Sequence, residues 1–310
     1  MSFVNDTKFN SVVFFLTGIP GLKDIYLWIS VSFCVMYAIS IVGNSVILFT
    51  VKTDPSLHEP MYIFLSMLAI SDIGLSMATM PTILSIFLFN AREMSLSPCF
   101  TQLFFIHFLQ CTESAILLLM AFDRFIAICN PLRYTSVLTL PRIPKMGLVC
   151  VLRGLATILP LPLLLTRYQY CRASVLSHSY CLHQDVMKMA CSDIKVSVIY
   201  GLFAHLLTMG LDFVFIFLSY AMILKNVLSV MSPRECLKAL NTCVSHLCAV
   251  LLFYTPDISL SVIHRFGEES PLIHILLGYM SLVFPPLLNP IVYCVKSKQL
   301  RERIIRLLFK

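Results

Sequence analysis

Charged residues are scarce in this chain of 310 residues: Asp, Glu, Lys and Arg make up 13%, whereas hydrophobic residues make up 58%. Soluble proteins normally contain about 25% charged residues. With so few charged residues, the apolar side chains cannot all be buried in a protein core, and part of the surface must contact lipid. This excludes a soluble enzyme and a disordered chain. Twelve cysteines are also too few for a secreted disulfide scaffold.

Several functional signatures are missing as well. No Cys-x-x-Cys pair occurs, so we expect no zinc site. The chain does not open with a basic segment, a short apolar stretch and a cleavage site, so we expect no cleaved signal peptide. It contains no His-Glu-x-x-His or Gly-Asp protease pattern, so we expect no enzyme and no catalytic residue. A membrane transporter, the main alternative class, would show an internal repeat, and the sequence has none.

Seven long apolar runs dominate the chain. Each is at least as long as the roughly 20 residues that a helix needs to cross a bilayer, and in lipid only helices or closed barrels satisfy the backbone. The runs lack the strict alternation of barrel strands. The sequence therefore predicts an all-α membrane protein, a seven-transmembrane helix bundle with residues 1–310 as a single domain. The runs cover residues 25–51, 61–88, 99–128, 144–165, 198–228, 237–264 and 272–295.

The net charge of +7 is distributed unevenly along the chain. Fourteen of the 23 lysines and arginines flank the runs on the side of the C-terminus, and eight lie on the other side. The positive-inside rule then predicts that residues 1–24 and a long loop at 166–197 are extracellular and that the tail at 296–310 is cytoplasmic. A glycosylation sequon at Asn5 agrees with this topology. Because the basic residues bracket apolar runs, no nucleic-acid partner is expected.

The tail has its own pattern. Leu300, Ile304, Leu307 and Leu308 share one helical face, and the basic residues lie largely elsewhere. This pattern predicts a short amphipathic helix that lies in the membrane interface and contacts lipids.

Short motifs in and beside the runs indicate a family. They read MAFDRFIAICNPLRY at 120–134, LHEPMY at 57–62, SY at 219–220, KALNTCVSHL at 238–247 and PPLLNPIVY at 285–293. Together they closely resemble the odorant receptors, a branch of the rhodopsin-like G-protein-coupled receptors, and the resemblance covers the whole chain. LSHSYCLHQD at 176–185 and VIHRF at 262–266 are similar to the fish-like, or class I, subdivision.

The resemblance implies a plasma-membrane receptor that binds a small organic odorant and activates a heterotrimeric stimulatory G protein, which raises cyclic AMP. The alternative within the same fold is a non-olfactory receptor for a lipid or a peptide. The resemblance assigns the coupling switch to Asp123, Arg124, Tyr220, Asn289, Pro290 and Tyr293. For Asp123 and Arg124 the simpler reading is an interface anchor. Phe125 stands where the family usually has tyrosine.

Two carboxylates, Asp72 and Glu113, lie in the middle of the second and third runs. Placing a charge at such depth in the membrane costs much free energy, so charged residues there usually have a function. With Asn44 and Asn289 they match the family's sodium-site region, so a sodium ion is the one cofactor that the resemblance allows. A neutral, hydrogen-bonded pair with a structural role is the alternative, and paired-carboxylate catalysis has no supporting constellation.

Other polar residues inside the runs have less defined roles. Arg153 and Asp212 lie within the fourth and fifth runs, and the sequence suggests no definite partner for Arg153. His205 is interpreted as a hydrogen-bonded histidine of the bundle and not as a metal ligand.

Four cysteines lie between the runs on the predicted outer side. The resemblance implies that Cys99 pairs with Cys181 and that Cys171 pairs with Cys191. For the second pair, two free thiols are the alternative. Bridges of this kind would hold the long loop as a lid over the mouth of the bundle.

The predicted ligand site lies at the outer end of the bundle. The guanidinium of Arg265 can hold a carboxylate through two parallel hydrogen bonds, and class I receptors are thought to include several that take carboxylic acids. Ser261 lies one turn away on the same face. The remaining predicted ligand-site residues are His107 on the third run, His183 and Gln184 in the loop, Gly201, which would leave room for a chain, and Asp257.

Two alternatives stay open for this site. Arg265 could instead pair with Glu268 or Glu269 at the rim. Asp257 lies two turns from Arg265 and would either neutralise it or shift preference toward ligands that also carry a hydrogen-bond donor. The expected ligand is a small acid or another oxygen-rich amphiphile.

Overall fold

The computed structural model describes residues 13–308 apart from 22, 171–173, 231–232 and 267–270. Within that part, seven helical stretches are long and apolar enough to cross a membrane, so the predicted seven-helix bundle is confirmed. The helices are α1 (Tyr26–Thr53), α2 (Pro60–Phe89), α3 (Leu96–Cys129), α4 (Tyr134–Val137), α5 (Arg142–Ile158), α6 (Pro160–Leu165), α7 (His183–Lys188), α8 (Lys195–His205), α9 (Leu211–Val230), α10 (Pro233–Phe266), α11 (Pro271–Lys296) and α12 (Lys298–Leu308).

Two of the seven crossings are divided. The fourth consists of α5 and α6, which meet at Leu159, because Pro160 has no N–H to continue the hydrogen-bond ladder. The fifth consists of α8 and α9, which are joined by a π-helical turn at Leu206–Gly210. Such turns are frequent at functional sites, and this one buries Thr208 and Met209 in the bundle.

The bundle is arranged around α3, which packs against α2, α5, α9 and α10. Every side chain from Gln110 to Leu117 is buried. A helix that is buried on all sides must lie at the centre of its bundle. By contrast, α1 exposes Trp28, Val42 and Phe49 on its outer face, as expected for contact with lipid.

One end of the bundle, which we call the sheet end, carries three short strands that the sequence did not predict. They are β1 (Val13–Leu16), β2 (Glu93–Ser95) and β3 (Ser174–Leu176), in the spatial order β2-β1-β3. β1 is antiparallel to β2 and parallel to β3. Its Phe14 side chain is fully buried, so the N-terminal strand is part of the cover over this end.

A disulfide joins Cys99 at the start of α3 to Cys181 in the long loop, as the resemblance implies. The backbone N–H of Cys181 also donates to Oε1 of Gln102 at 2.9 Å. Cys191 is disulfide-bonded as well. Cys171, its expected partner, lies outside the described residues, so that pairing stays a prediction.

The opposite end, which we call the tail end, carries the amphipathic helix α12. This helix packs against α1 and α11 and buries Leu300. Nε of Arg303 lies 3.1 Å from Oδ2 of Asp54, just after α1. Hydrogen bonds from Ser56, followed by the charge of Arg303, lower the pKa of Asp54 below its ordinary value. The tail helix is therefore held on the bundle by the burial of Leu300 and by the ion pair of Arg303 with Asp54.

Candidate ligand site and switch contacts

A cavity of about 260 Å³ lies between α3, α7, α8, α10 and α11, in the half of the bundle toward the sheet end. Its walls are mostly apolar. The structure brings together around it the predicted residues His107, His183, Gln184, Gly201, Asp257 and Ser261. The backbone of Arg265 belongs to the last turn of α10, one turn beyond Ser261, but its side chain lies outside the described part.

His183 closes the cavity from the loop. Its Nε2 is 3.1 Å from Oγ of Ser197, and burial lowers its pKa from about 6.5 to about 4, so the ring is neutral at physiological pH. A Cβ at Gly201 would lie 3.1 Å from Cε1 of this ring. The space beside Gly201, which we had expected to hold part of a ligand, is therefore occupied largely by the imidazole of His183.

The rest of the lid is held by contacts that sequence reasoning missed. Nδ1 of His178 lies 2.6 Å from Oδ2 of Asp185, and both side chains are buried. Ser179 donates to the carbonyl of Thr17 at 2.6 Å and accepts from Tyr279 on α11. His178, Ser179 and Asp185 fall in the motif at 176–185, in which only other residues had been given a role, so their pairing had no sequence signal of its own.

The inner part of the cavity holds an acid and an imidazole. Oδ2 of Asp257 on α10 lies 3.6 Å from Nε2 of His205 on α8. Oδ2 of Asp257 and Nε2 of His107 are both buried without a hydrogen-bond partner among the described residues. The site thus presents polar atoms at several depths in an otherwise apolar volume.

Below the cavity, Arg153 has a definite partner. Its Nη1 donates to Oδ1 of Asp212 at 2.7 Å, and its Nη2 donates to Oδ2 of the same carboxylate. Oγ of Ser114 donates to Oδ2 of Asp212 at 2.9 Å and lies 2.7 Å from the hydroxyl of Tyr254. One hydrogen-bonded network therefore joins α3, α5, α9 and α10 inside the membrane-crossing region.

Asp72 and Glu113 are both fully buried near the middle of α2 and α3. Nδ2 of Asn289 donates to both carboxylate oxygens of Asp72, at 3.3 and 3.1 Å. Asn44 does not join them. It donates to the carbonyls of Ser40 and Pro286 and so ties α1 to α11.

The donor set of this carboxylate pair suits a hard cation, which prefers oxygen ligands. Both carboxyl oxygens of Glu113 and Oδ1 of Asn289 are buried without a hydrogen-bond partner among the described residues. In the same part of the chain, no group of three or more His, Cys, Asp or Glu side chains is placed to hold a metal ion. Any cation here would therefore use these two carboxyls with amide oxygen.

At the tail end, Arg124 is held by its neighbour. Its Nη2 and Nε lie 2.6 and 2.9 Å from Oδ2 of Asp123, and the hydroxyl of Tyr134 on α4 donates to Oδ1 of Asp123 at 2.8 Å. Burial, followed by the charge of Asp123, raises the pKa of Tyr134, so the phenol stays a donor. In this arrangement the guanidinium of Arg124 is paired within the protein.

A second contact beside Arg124 was missed by sequence reasoning. The hydroxyl of Tyr220 on α9 lies 2.6 Å from Nδ1 of His246 on α10, and Nε2 of His246 lies 3.0 Å from the carbonyl of Leu117 on α3. The hydroxyl of Tyr293 on α11 is 3.9 Å from Sδ of Met120. His246 lies in a motif that we had quoted without giving it a role, although a fully buried histidine needs partners.

Seven membrane-crossing helices, a cavity near one end and an engaged arginine at the other define a receptor of the seven-helix class. A family model described as olfactory receptor matches residues 33–310. Human olfactory receptor 51G2 is 58% identical over 301 residues, which are 97% of this chain and 96% of that protein. Human olfactory receptor 51A4 is 56% identical over 306 residues, which are 98% and 97% of the two chains.

The chain therefore belongs to the olfactory receptor family, and its similarity to receptors of group 51 confirms the class I resemblance. Members of this family are multi-pass membrane receptors that respond to small molecules through G proteins and are not enzymes, as we had expected.

Proposed function

We propose that this protein is an odorant receptor of the plasma membrane that binds a small carboxylic acid and activates a stimulatory G protein, which raises cyclic AMP. The observation that carries the proposal is the cavity of about 260 Å³ with its few convergent polar groups. Pockets for drug-sized ligands measure roughly 300–1,000 Å³. A smaller organic molecule suits this volume better than a peptide does.

A cyclic-AMP assay in cells that express the chain tests this function directly. The cells are challenged with panels of short acids, alcohols, amines and peptides, and receptor-free cells serve as the control. A rise in cyclic AMP with small organic molecules supports the proposal. A response to peptides alone, or no response from a receptor that is present at the surface, contradicts it.

The choice of a carboxylic acid rests on the position of Arg265. It lies four positions after Ser261, so the two lie on nearly the same face of α10, and Ser261 lines the cavity. Arginine matches the two oxygens of a carboxylate. We expect Arg265→Ala to lose the response to acids, whereas Val262→Ile on the same turn keeps it. Equal potency of the best acid on Arg265→Ala and wild type would refute the assignment.

The orientation is part of the same proposal: residues 1–24 and the sheet end face outward, and residues 296–310 face the cytoplasm. The basic residues around the tail support it, as does the sequon at Asn5, which lies outside the described residues. Glycosidase treatment should increase the mobility of the receptor on a gel. An epitope tag after Lys310 should stain only permeabilised cells, and staining of intact cells would overturn this orientation.

The pair of Asp72 and Glu113 is the proposed place for a sodium ion. If no cation lies between them, two buried carboxyls have to share a proton. The oxygens of Glu113 and Asn289 that have no hydrogen-bond partner among the described residues suit a hard cation. If sodium binds here, replacing potassium or choline in the buffer by sodium should raise the thermal stability of the receptor. Asp72→Asn should remove that dependence, and an unchanged dependence would refute the site.

A further inference from the structure

The pair formed by Asp257 and His205 has no role in the acid-binding proposal. Both residues line the cavity, and their side chains approach each other at its wall from α10 and α8. Their nearest atoms, Oδ2 and Nε2, are 3.6 Å apart, which is beyond the 2.7–3.2 Å typical of an N–H···O hydrogen bond. Oδ2 of Asp257 has no hydrogen-bond partner among the described residues although it is buried.

A buried carboxyl in this position is costly unless something binds to it. The guanidinium of Arg153, deeper in the bundle, already donates to both oxygens of Asp212. The hydroxyl of Tyr254, one turn before Asp257, lies close to Ser114. The carboxyl of Asp257 is thus directed toward the ligand volume and toward His205.

The hydrogen-bonding chemistry of the pair determines which ligand group can bind to both members at once. If the proton is on His205, the imidazole donates and the carboxylate accepts; if it is on Asp257, the roles are reversed. In either state the pair offers one donor and one acceptor. A hydroxyl supplies one donor and has lone pairs that accept, whereas an ammonium group has three donors and no acceptor.

We infer that Asp257 and His205 form a hydroxyl-binding subsite, so that the receptor prefers aliphatic ligands with a hydroxyl at the end that lies deepest in the cavity. The inference rests on the proposed small-molecule function of the same cavity. Asp257 and Arg265 are eight residues apart, which is roughly 12 Å along a helix. A hydroxy acid of medium length would reach both, with its apolar chain along the walls between them.

Binding to purified receptor in lipid nanodiscs, measured by thermal shift and titration, tests the subsite without signalling. The probes are octanoic acid, 8-hydroxyoctanoic acid, 8-aminooctanoic acid and 1-octanol. We expect 8-hydroxyoctanoic acid to bind about tenfold or more tightly than octanoic acid, since a hydrogen bond to a charged group is that strong. Asp257→Leu should remove the preference for the hydroxy acid over octanoic acid.

Three further variants keep the result interpretable. Asp257→Asn retains a donor and an acceptor but not the charge and should keep a smaller preference, whereas His205→Leu should lose it. Ile258→Val, next to Asp257 but exposed on the outer face of α10, is the matched control and should behave as wild type.

Each result has a defined meaning. No preference for the hydroxy acid in wild type, failure to bind any of the four probes, or a preference that survives in Asp257→Leu overturns the subsite. Tighter binding of 8-aminooctanoic acid overturns it in favour of an ammonium site. Preference for the hydroxy acid in nanodiscs, without any rise in cyclic AMP in cells, would leave the subsite standing and refute the proposed signalling function.

Discussion

At the scale of single residues, the ion pair of Arg153 and Asp212 is the contact whose loss should matter most for stability. The carboxylate of Asp212 is buried and accepts from Arg153 and Ser114. Removing one partner of such a pair leaves an uncompensated charge, whereas replacing both partners by apolar side chains is often neutral. The pair therefore explains why two opposite charges are tolerated inside apolar runs.

We expect Arg153→Leu to lower the free energy of unfolding by about 3–5 kcal/mol and the double variant Arg153→Leu with Asp212→Leu to recover most of that loss. Thermal unfolding of purified receptor in detergent measures both. Arg167→Leu, an exposed residue, is the control for loss of positive charge. A double variant as unstable as the single one would show that the pair is not what stabilises this region.

His183 makes stability depend on pH. Because burial lowers its pKa in the folded state to about 4, the unfolded chain binds a proton below about pH 6.5 that the folded receptor does not bind. The stability present above pH 6.5 is therefore lost progressively as the pH falls toward 4. His183→Asn, which keeps a polar group near Ser197, should reduce this dependence.

Melting temperatures at pH 7.5, 6.0 and 5.0 measure the effect. His58→Asn, at the tail end of the bundle, is the control for loss of a histidine and should follow the wild-type curve. Parallel curves for wild type and His183→Asn would contradict the assigned origin of the pH dependence.

At the scale of elements, the cover of the sheet end depends on the loop before α7 being anchored to α3. The disulfide of Cys99 and Cys181 makes that anchor, and β1 packs between β2 and β3 beside it. Without the bridge, β3 and α7 would lose their covalent link to α3, and only non-covalent contacts such as the hydrogen bond of Ser179 to Thr17 would hold them over the cavity.

We expect Cys99→Ala and Cys181→Ala each to cost about 2–5 kcal/mol, as is typical for a native disulfide, and to be retained inside the cell. Surface staining relative to total receptor measures this. Cys34→Ala is the control, because Cys34 is free and exposed on α1. Normal surface levels of either bridge variant would show that the loop is held without the disulfide.

At the scale of the whole molecule, the ligand cavity and Arg124 lie at opposite ends of the bundle. A ligand changes the state of the tail end only if it binds one conformation of the bundle more tightly than another. The polar network of Arg153 and Asp212 and the contact of Tyr220 with His246 both cross between α3, α9 and α10. A relative movement of these helices would rearrange both sets of contacts together.

If Arg124 belongs to the coupling switch, as the family resemblance implies, we expect Arg124→Ala to abolish the cyclic-AMP response while ligand binding stays measurable. Asp123→Asn should raise basal cyclic AMP, since weakening charge-assisted hydrogen bonds worth about 1.5–3 kcal/mol favours release of Arg124. Arg133→Ala, an exposed residue beyond α3, is the control. A normal response from Arg124→Ala would remove it from the coupling switch.

The class of fold and the ends of the membrane-crossing helices follow from the amino-acid sequence alone. Seven apolar runs of bilayer length leave a helix bundle as the available solution, because lipid satisfies no backbone groups. The observed helices differ from the runs by only a few residues, as at Tyr26–Thr53 against 25–51. Motifs such as Asp123-Arg124 also indicated the family, because each places polar residues, which are rare in this chain, at a defined position in an apolar run.

Which polar residues meet depends on how the helices pack against one another. Arg153 and Asp212 are 59 positions apart, and His205 and Asp257 are 52 apart, so no local spacing pairs them. The strand β1 is part of a sheet because β2 and β3, which are distant from it in the sequence, both pair with it. The four residues of β1 alone do not predict this pairing. Helix periodicity fixes which face a side chain occupies, but the rotation and packing of whole helices determine what that face contacts.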